Sequence, residues 1–215
     1  MNLQQAFDLL PTDATFMQVG AYDGVDRDPY HRAIVDRGWR GVLVEPQPWA
    51  FNALKTNYKE QLDRLSVEQC AIGALDGYLT MWYIEPGPGF VDPENKAMML
   101  TSFLRLWTER EALGHGIKNF TLDELQVRVR PLYSLLQKHE IVHLDALFVD
   151  TEGLDALVIA QCLEAVRLGY LKGLPKVIVF EQSPETDMAG TEIDLLLQGY
   201  KLEKDGNNTV ATLGE

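Results

Sequence analysis

The sequence Thr15-Phe-Met-Gln-Val-Gly-Ala-Tyr-Asp-Gly24 decides the fold of this chain. Its first half is apolar and predicts a buried strand, and Gly20 and Gly24 predict a tight turn in which the backbone can approach a ligand closely. Asp28 and Pro29 come next and indicate the start of a helix. A strand, a glycine turn and a helix in this order are how open α/β sheets usually hold a nucleotide-like cofactor.

The composition indicates one globular α/β domain. The chain has 215 residues, of which 46% are hydrophobic and 24% are charged, and this apolar content is sufficient for a sizeable core. We therefore expect a single domain over residues 1–215, with an N-terminal helix within residues 1–14 and a substrate-side elaboration over residues 85–135. The sequence leaves the oligomeric state open, and a homo-oligomer is one of the options.

Charge and cysteine content limit the expected partners and compartment. The net charge of -13 repels phosphate backbones and anionic lipid surfaces, so we expect neither nucleic acid nor a membrane as a partner. Cys70 and Cys162 lie in apolar segments and are interpreted as reduced core thiols. Residues 1–5 carry no basic region and no bilayer-length apolar run follows, so we expect no signal peptide and a cytoplasmic protein.

Strand-like and helix-like segments alternate along the chain, which is typical of a mostly parallel sheet. Apolar or alternating runs predict strands over residues 15–19, 41–45, 65–72, 77–84, 125–129, 144–150 and 176–181. Three of the ten prolines fall within residues 85–97, so this segment is interpreted as an irregular loop. Asp205-Gly-Asn-Asn208 lies between two strand-like runs and predicts a terminal hairpin.

Four predicted strand ends carry acidic residues or the glycine turn, and parallel strands bring such ends to one edge of the sheet. These ends are Gly20–Gly24, Glu45, Asp150 and Glu181. The turn lacks the GxGxxG spacing, and Asp23 within it would repel a pyrophosphate. S-adenosylmethionine has no phosphate and carries an ammonium and a sulfonium, which suit an acidic turn. Glu45 stands where a carboxylate accepts ribose hydroxyls in several cofactor classes, so it does not separate those classes.

Seven motifs follow one another along the chain: Phe16-Met-Gln-Val-Gly-Ala-Tyr-Asp-Gly24, Asp28-Pro29, Gly38-Trp-Arg-Gly-Val-Leu-Val-Glu-Pro46, Ala71-Ile72-Gly73, Leu100-Thr-Ser-Phe103, Tyr133-Ser-Leu-Leu-Gln-Lys-His139 and Asp150-Thr-Glu-Gly-Leu-Asp155. In this order and spacing the chain resembles the FkbM-type methyltransferases over residues 14–182, with Tyr22 where the family usually has Asn. The resemblance implies an α/β, Rossmann-like class I methyltransferase fold: a mostly parallel seven-stranded sheet, a terminal antiparallel hairpin and an insertion around residues 85–135. It also implies S-adenosylmethionine as the donor and O-methylation of a hydroxyl on a small molecule, sugar or natural product.

The expected cofactor-binding residues come from the glycine turn and the following strand ends. They are Gly20, Ala21, Asp23, Gly24, Asp28, Glu45, Pro46, Cys70, Ala71, Ile72 and Asp150. Asp23 either accepts a hydrogen bond from the methionine ammonium or caps the next helix, and Asp28 is interpreted as an N-cap or turn residue, with cofactor binding as the alternative. Residues 70–72 are placed beside the adenine, with an ordinary core strand as the alternative.

Asp150, Glu152 and Glu181 are the expected catalytic residues. Methyl transfer to a hydroxyl needs an aligned nucleophile and removal of its proton, and a carboxylate at a strand end can accept that proton. The alternative is that Asp150 caps the following helix and that Glu152 is solvated. Asp150 and Glu181 also offer oxygen ligands for a divalent cation such as Mg²⁺, although their spacing in the sequence is not diagnostic.

Two residues of the elaboration, Ser102 and His115, are the expected substrate contacts. Five apolar side chains could line an acceptor pocket or lid, although core packing is the favoured interpretation for most of them: Trp82, Met98, Met99, Phe103 and Trp107. Two other classes of function remain: a cofactor-binding protein of the same fold without turnover, and an NAD-dependent oxidoreductase. The missing GxGxxG argues against the second.

Overall fold

The glycine turn lies at the centre of a seven-stranded sheet. The computed structural model describes residues 2–181 and 188–214. The strands are β1 (Thr15–Val19), β2 (Arg40–Val44), β3 (Leu65–Glu68), β4 (Ala71–Ile72), β5 (Gly77–Val91), β6 (Lys118–Arg130), β7 (Ala146–Val149), β8 (Val177–Glu181), β9 (Tyr200–Asp205) and β10 (Asn208–Leu213). Seven of them pair in the order β3-β2-β1-β7-β8-β10-β9. β10 is antiparallel to both neighbours and the other pairs are parallel, which confirms the predicted sheet and its terminal hairpin.

Helices cover both faces of this sheet. They are α1 (Leu3–Phe7), α2 (His31–Asp36), α3 (Pro48–Asn57), α4 (Arg105–Gly114), α5 (Leu132–Lys138), α6 (Asp155–Arg167) and α7 (Ala189–Leu197). Side chains of a strand alternate between the faces, so Phe16 joins one buried apolar cluster and Met17 joins the other. Burial on both sides explains why the central strands are continuous apolar runs rather than alternating ones.

Aromatic rings make up much of the core around β1. The rings of Tyr30 and Phe148 stack with their centroids 4.2 Å apart, and Phe7 of α1 meets Trp39 edge to face at 5.4 Å. Asn2 accepts the amide of Gln5 and forms a capping box that begins α1. These contacts attach α1 and α2 to the same face of the sheet.

Three strand predictions were wrong in their boundaries, and one of them is the strand predicted over residues 125–129, which is β6 and already begins at Lys118. The predicted strand over residues 65–72 divides into β3, which pairs with β2, and β4, which pairs with β6 in a second sheet of order β4-β6-β5. Residues 85–97 are not an irregular loop throughout, because β5 continues to Val91. β5 is an edge strand of the small sheet, where Pro86 and Pro88 need not donate a ladder hydrogen bond.

The elaboration consists of this small sheet, α4 and the segment between β5 and α4. Its own apolar cluster contains Ile84, Leu100 and Trp107, and this cluster fixes the segment beside the carboxyl ends of the central strands. The elaboration therefore lies where it can enclose a ligand. Among the described residues, no helix combines the length and the apolar character that a bilayer span requires.

Candidate active site

Gly20 allows three strand ends to approach one another. Its N–H donates to the Val44 carbonyl at 2.9 Å, and its φ of +82° lies in the left-handed region. A Cβ built on Gly20 would lie 1.6 Å from the Asp150 carbonyl oxygen, so no larger residue fits without separating the strands. The ends of β1, β2 and β7 therefore form one continuous edge.

Glu45 is held rigidly at the end of β2. Its side chain is 2% exposed, and its two carboxylate oxygens accept the backbone N–H groups of Tyr22 and Gln47, each at 2.8 Å. Burial raises the pKa of Glu45 to about 7, and the two N–H donors oppose that rise. A carboxylate fixed in this way can accept hydrogen bonds from a pair of adjacent hydroxyls.

A first cleft, of about 640 Å³ with its mouth included, opens above these strand ends. Seven of the predicted cofactor residues line it: Gly20, Glu45, Pro46, Cys70, Ala71, Ile72 and Asp150. The Cys70 thiol is buried, and this desolvation raises its pKa to about 12, so it presents a neutral surface to the cleft. The cleft thus has a largely apolar wall with Glu45, Asp150 and Glu152 as its acidic groups.

Four predicted cofactor residues do not line this cleft. Ala21 is buried below the turn, and a Cβ at Gly24 would lie 2.4 Å from the Tyr58 ring, so these two residues serve packing. One carboxylate oxygen of Asp23 accepts the N–H groups of Val25 and Asp26 and closes the turn. Its contact with an ammonium stays a prediction.

Before α2, whose N-cap is Tyr30, Asp28 acts as a turn residue. It accepts the Tyr30 N–H at 2.7 Å at the start of α2, and the Gln18 amide donates to its other oxygen at 2.9 Å. Both oxygens of this carboxylate are therefore engaged within the protein.

Sequence reasoning missed several residues of the first cleft. They are Val19, Tyr22, Gln47, Met81, Thr101, Thr151 and Leu154, while Met99 and Phe103, expected mainly in the core, also line it. Gln47 follows Glu45 by two residues, and that spacing was an available signal. The remaining residues were missed for two reasons. Some lie in the elaboration or at a left-handed turn position, and for the rest the sequence does not show which way the side chain points. Oε1 of Gln47 and Oγ1 of Thr101 are buried without a partner in the described chain, as expected for atoms that await a polar ligand.

The three predicted catalytic carboxylates come together. Oxygen atoms of Asp150, Glu152 and Glu181 lie within 4.8 Å of one another. Desolvation and the neighbouring carboxylates raise the pKa of Asp150 and of Glu152 well above the ordinary range, and burial with repulsion from Asp155 raises the pKa of Glu181. Such a cluster can take up a proton or hold a cation.

Glu152 stands in an unusual backbone conformation. Its φ is +53°, a region that non-glycine residues rarely adopt and that is enriched at functional sites. Ser102 helps to hold it there, because the Ser102 hydroxyl donates to the Glu152 carbonyl oxygen at 2.8 Å. Ser102 is 1% exposed and does not line either cleft, so it positions Glu152 instead of contacting an acceptor.

A second, wider cleft of about 1620 Å³ lies on the other side of the carboxylates. It shares Met99, Asp150 and Glu152 with the first cleft. Its other lining residues are Arg27, Pro29, Tyr30, Lys96, Leu100, Trp107, Glu111, His115, Glu181, Asn207 and Asn208. The predicted substrate residue His115 is thus in place, 3.2 Å from the Lys96 ammonium.

The hairpin residues Asn207 and Asn208 were predicted only as a turn. The fold brings them to the second cleft because β10 pairs with β8, whose last residue is Glu181. Trp107 was expected mainly in the core, and it is 7% exposed with its indole N–H unpartnered in the described chain. This hydrogen-bond donor lies in a wall of the second cleft.

Fold and site together have the features of the class I methyltransferase fold: one antiparallel strand in a parallel sheet, a cleft at the carboxyl ends and a buried acid after the second strand. The sequence profile of the FkbM methyltransferase domain matches residues 18–203. The chain belongs to the FkbM methyltransferase family, which confirms the predicted family and fold.

Solved structures share this fold at low identity. The methyltransferase FkbM from Methylobacillus flagellatus KT is 11% identical, with a TM-score of 0.54 over 95% of this chain and 45% of that chain. The METTL16 methyltransferase domain is 9% identical, with a TM-score of 0.52 over 99% of this chain and 65% of that chain. The N-terminal domain of human METTL16 in complex with SAH is 12% identical, with a TM-score of 0.50 over 99% and 69%.

This chain therefore spans less than half the length of the FkbM structure from Methylobacillus. None of the curated proteins compared with this sequence matches it.

Proposed function

We propose that this chain transfers the methyl group of S-adenosylmethionine to a hydroxyl group of a small-molecule or glycan acceptor. The observation that carries the proposal is the meeting of two clefts at Asp150 and Glu152. One cleft has the apolar wall and buried acid that suit an adenosyl group, and the other is wide and polar. A donor in the first and an acceptor in the second would face each other across the carboxylates.

The residues of the first cleft suit S-adenosylmethionine, a cofactor that has no phosphate group. Glu45 would accept the two ribose hydroxyls, and the neutral residues 70–72 would flank the adenine. Buried Gln47 Oε1 and Thr101 Oγ1 would receive the hydrogen bonds that they lack within the described chain. The SAH complex of the METTL16 domain supports the same class of ligand for this fold.

The carboxylates supply the proton acceptor that O-methylation requires. A lone pair of the acceptor oxygen forms the new C–O bond while the S–CH₃ bond breaks, and the hydroxyl proton moves to Asp150 or Glu152. The raised pKa of both groups makes each a stronger base than an ordinary carboxylate, which favours uptake of that proton. The products are a methyl ether, S-adenosylhomocysteine and a proton that the carboxylate returns to solvent.

The second cleft favours a neutral acceptor with several hydroxyl groups. Carboxylates can accept hydrogen bonds from hydroxyls, Asn207 can both donate and accept them, and Tyr30 and Trp107 add aromatic side chains to the lining. The net charge of -13 disfavours a nucleic-acid acceptor. A sugar or a hydroxylated natural product meets these conditions.

The test is an assay with methyl-labelled S-adenosylmethionine and a panel of hydroxylated small molecules and glycans, read by mass spectrometry. Asp150→Asn should lower kcat by about 10²–10⁴-fold while S-adenosylhomocysteine binding is kept. Asp13→Asn changes an exposed acid that lines neither cleft, so it is the matched control and should leave kcat unchanged.

Three results would redirect the proposal. Cofactor binding without any methylated product from a broad panel would favour a binding protein of this fold, and labelled nitrogen in the product would contradict O-methylation. Loss of turnover in EDTA with recovery in Mg²⁺ would assign the three carboxylates to a divalent cation instead of to proton transfer.

A further inference from the structure

A groove opens at the edge of the sheet opposite the active site, where β1, β2 and β3 begin. It encloses about 730 Å³, mouth included, and shares no lining residue with the two clefts described above. Its lining residues are Thr15, Arg40, Gly41, Val42, Arg64, Ser66, His139, Glu140, Ile141, Val142 and His143. A five-residue parallel strand is roughly 17 Å long, so this groove is separate from the site of methyl transfer.

The register of the strands explains which side chains meet in the groove. Thr15 pairs with Arg40 and Val42 pairs with Ser66, so these side chains stand on one face of the sheet. Residues 139–143, between α5 and β7, cover that face and form the opposite wall. The groove is thus enclosed between three strand ends and one loop.

Hydrogen-bond donors without acceptors converge there. Within the described chain, no acceptor binds the guanidinium of Arg40 or the hydroxyls of Thr15 and Ser66, and His143 has no ion-pair partner. Arg64 donates from Nη1 to the carbonyls of Ile34 and Trp39, which fixes its guanidinium while Nε and Nη2 stay uncommitted.

Two acidic side chains near the groove, those of Glu68 and Asp145, already accept hydrogen bonds within the protein. Glu68 accepts Lys138 at 2.6 Å and His139 at 2.7 Å, and these two donors hold its pKa below the ordinary range against the opposing effect of burial. The Asp145 carboxylate accepts the Thr15 N–H at 2.8 Å. Glu140 is the one acid among the lining residues, in a chain with 32 acidic and 19 basic residues. The groove is thus a basic site on an acidic protein.

We propose that this groove binds the phosphate group of a small molecule. Two guanidinium groups and two hydroxyls in one concave site match the oxygens of a phosphate, which arginine binds in bidentate fashion. Free phosphate and a phosphorylated metabolite share this chemistry. A nucleic-acid strand does not fit, because the molecule beyond the groove carries a large negative charge.

The experiment is a calorimetric titration of the full chain with inorganic phosphate, repeated with a sugar phosphate to separate the two sources. Wild type should bind with saturation, and Arg40→Gln should weaken binding by about tenfold or more, since a charge-assisted contact is lost. Arg32→Gln is the matched control, because Arg32 has a 92% exposed side chain on α2 and should keep wild-type affinity.

Thermal unfolding of each variant verifies folding, and Ser66→Ala provides a second variant if Arg40→Gln does not fold. Absence of saturable binding by the wild type would overturn the proposal. Equal affinity in wild type, Arg40→Gln and Ser66→Ala would overturn it as well, because the phosphate would then bind elsewhere. Tighter binding of the sugar phosphate would identify a metabolite as the ligand, and equal affinity would identify free phosphate.

Discussion

At the scale of single residues, the site depends on close approach and burial more than on any one charge. Gly20 lets the Asp150 backbone come within contact of the turn, and the fixed N–H groups of Tyr22 and Gln47 orient Glu45. The sequence indicated both residues, because a glycine after a strand and an acid at a strand end have direct structural consequences. It did not indicate Thr101 as a cleft residue, and it favoured the core for Trp107, because the positions of both depend on contacts distant in the chain.

Gly20→Ala should destabilise the protein far more than Gly38→Ala. Both glycines have positive φ, +82° and +71°, so both substitutions carry a backbone cost of about 1–2 kcal/mol. Only at Gly20 does the new Cβ collide with backbone, whereas nothing lies within 4 Å of a Cβ at Gly38. Urea unfolding should therefore show an extra loss of about 2 kcal/mol or more for Gly20→Ala.

Gly38→Ala serves as the control for the cost of the φ angle alone. Equal losses of unfolding free energy in the two variants would contradict the packing of three strand ends around Gly20.

Glu45→Gln should change how stability depends on pH. The folded pKa of about 7 lies above the unfolded value of 4.5, so the folded protein binds the extra proton between these values. The Glu45 contribution is thus fully present below pH 4.5 and is lost as pH rises through 7. The unfolding free energy of wild type, relative to that of Glu45→Gln, should therefore fall by roughly 3 kcal/mol as pH rises through that window.

The same variant tests ribose binding. S-adenosylhomocysteine should bind Glu45→Gln about tenfold or more weakly at pH 8, because an ionised acceptor of two hydroxyls is lost. The deficit should shrink below pH 7, where Glu45 itself becomes protonated. Unchanged affinity at pH 8 would remove Glu45 from the cofactor site.

At the scale of elements, the central strands were predictable and the elaboration was not. Buried parallel strands can be recognised in a sequence as apolar runs between helices. The structure accordingly places β1, β7 and β8 close to their predicted ranges. Residues 85–91 of β5 were predicted as a loop because Pro86 and Pro88 normally end strands, and only the edge position of β5 permits them. The elaboration matters because Met99 and Thr101 from it complete the first cleft.

One side chain joins the glycine turn to this elaboration. Arg27 donates from Nη2 to the Glu94 carbonyl at 2.9 Å, and its Nη1 lies 3.6 Å from the Met99 sulfur, beside the second cleft. Arg27 itself has a positive φ of +58°. This contact bridges the two segments between which a ligand would enter.

Arg27→Ala should accelerate release of S-adenosylhomocysteine. Loss of one hydrogen bond of about 0.5–1.5 kcal/mol would raise koff by roughly 2–12-fold in stopped-flow displacement. Arg32→Ala, with its 92% exposed side chain, should leave koff unchanged. An equal koff for wild type and Arg27→Ala would show that the contact does not retain the ligand.

At the scale of the whole molecule, the two edges of the central sheet differ in charge. The carboxyl ends of the strands carry Glu45, Asp150 and Glu181, and the amino ends carry the basic groove around Arg40. The sequence predicted the first end, since acids at strand ends converge by topology. It could not predict the second, because Arg40, Arg64 and His143 are separated along the chain and only the register brings them together.

A crystal structure with S-adenosylhomocysteine would show whether donor and acceptor meet at Asp150 and Glu152. We predict both ribose hydroxyls within about 3 Å of the Glu45 carboxylate and the sulfur facing the second cleft beside Asp150. A ligand bound outside the first cleft, or a sulfur turned away from the carboxylates, would contradict the account.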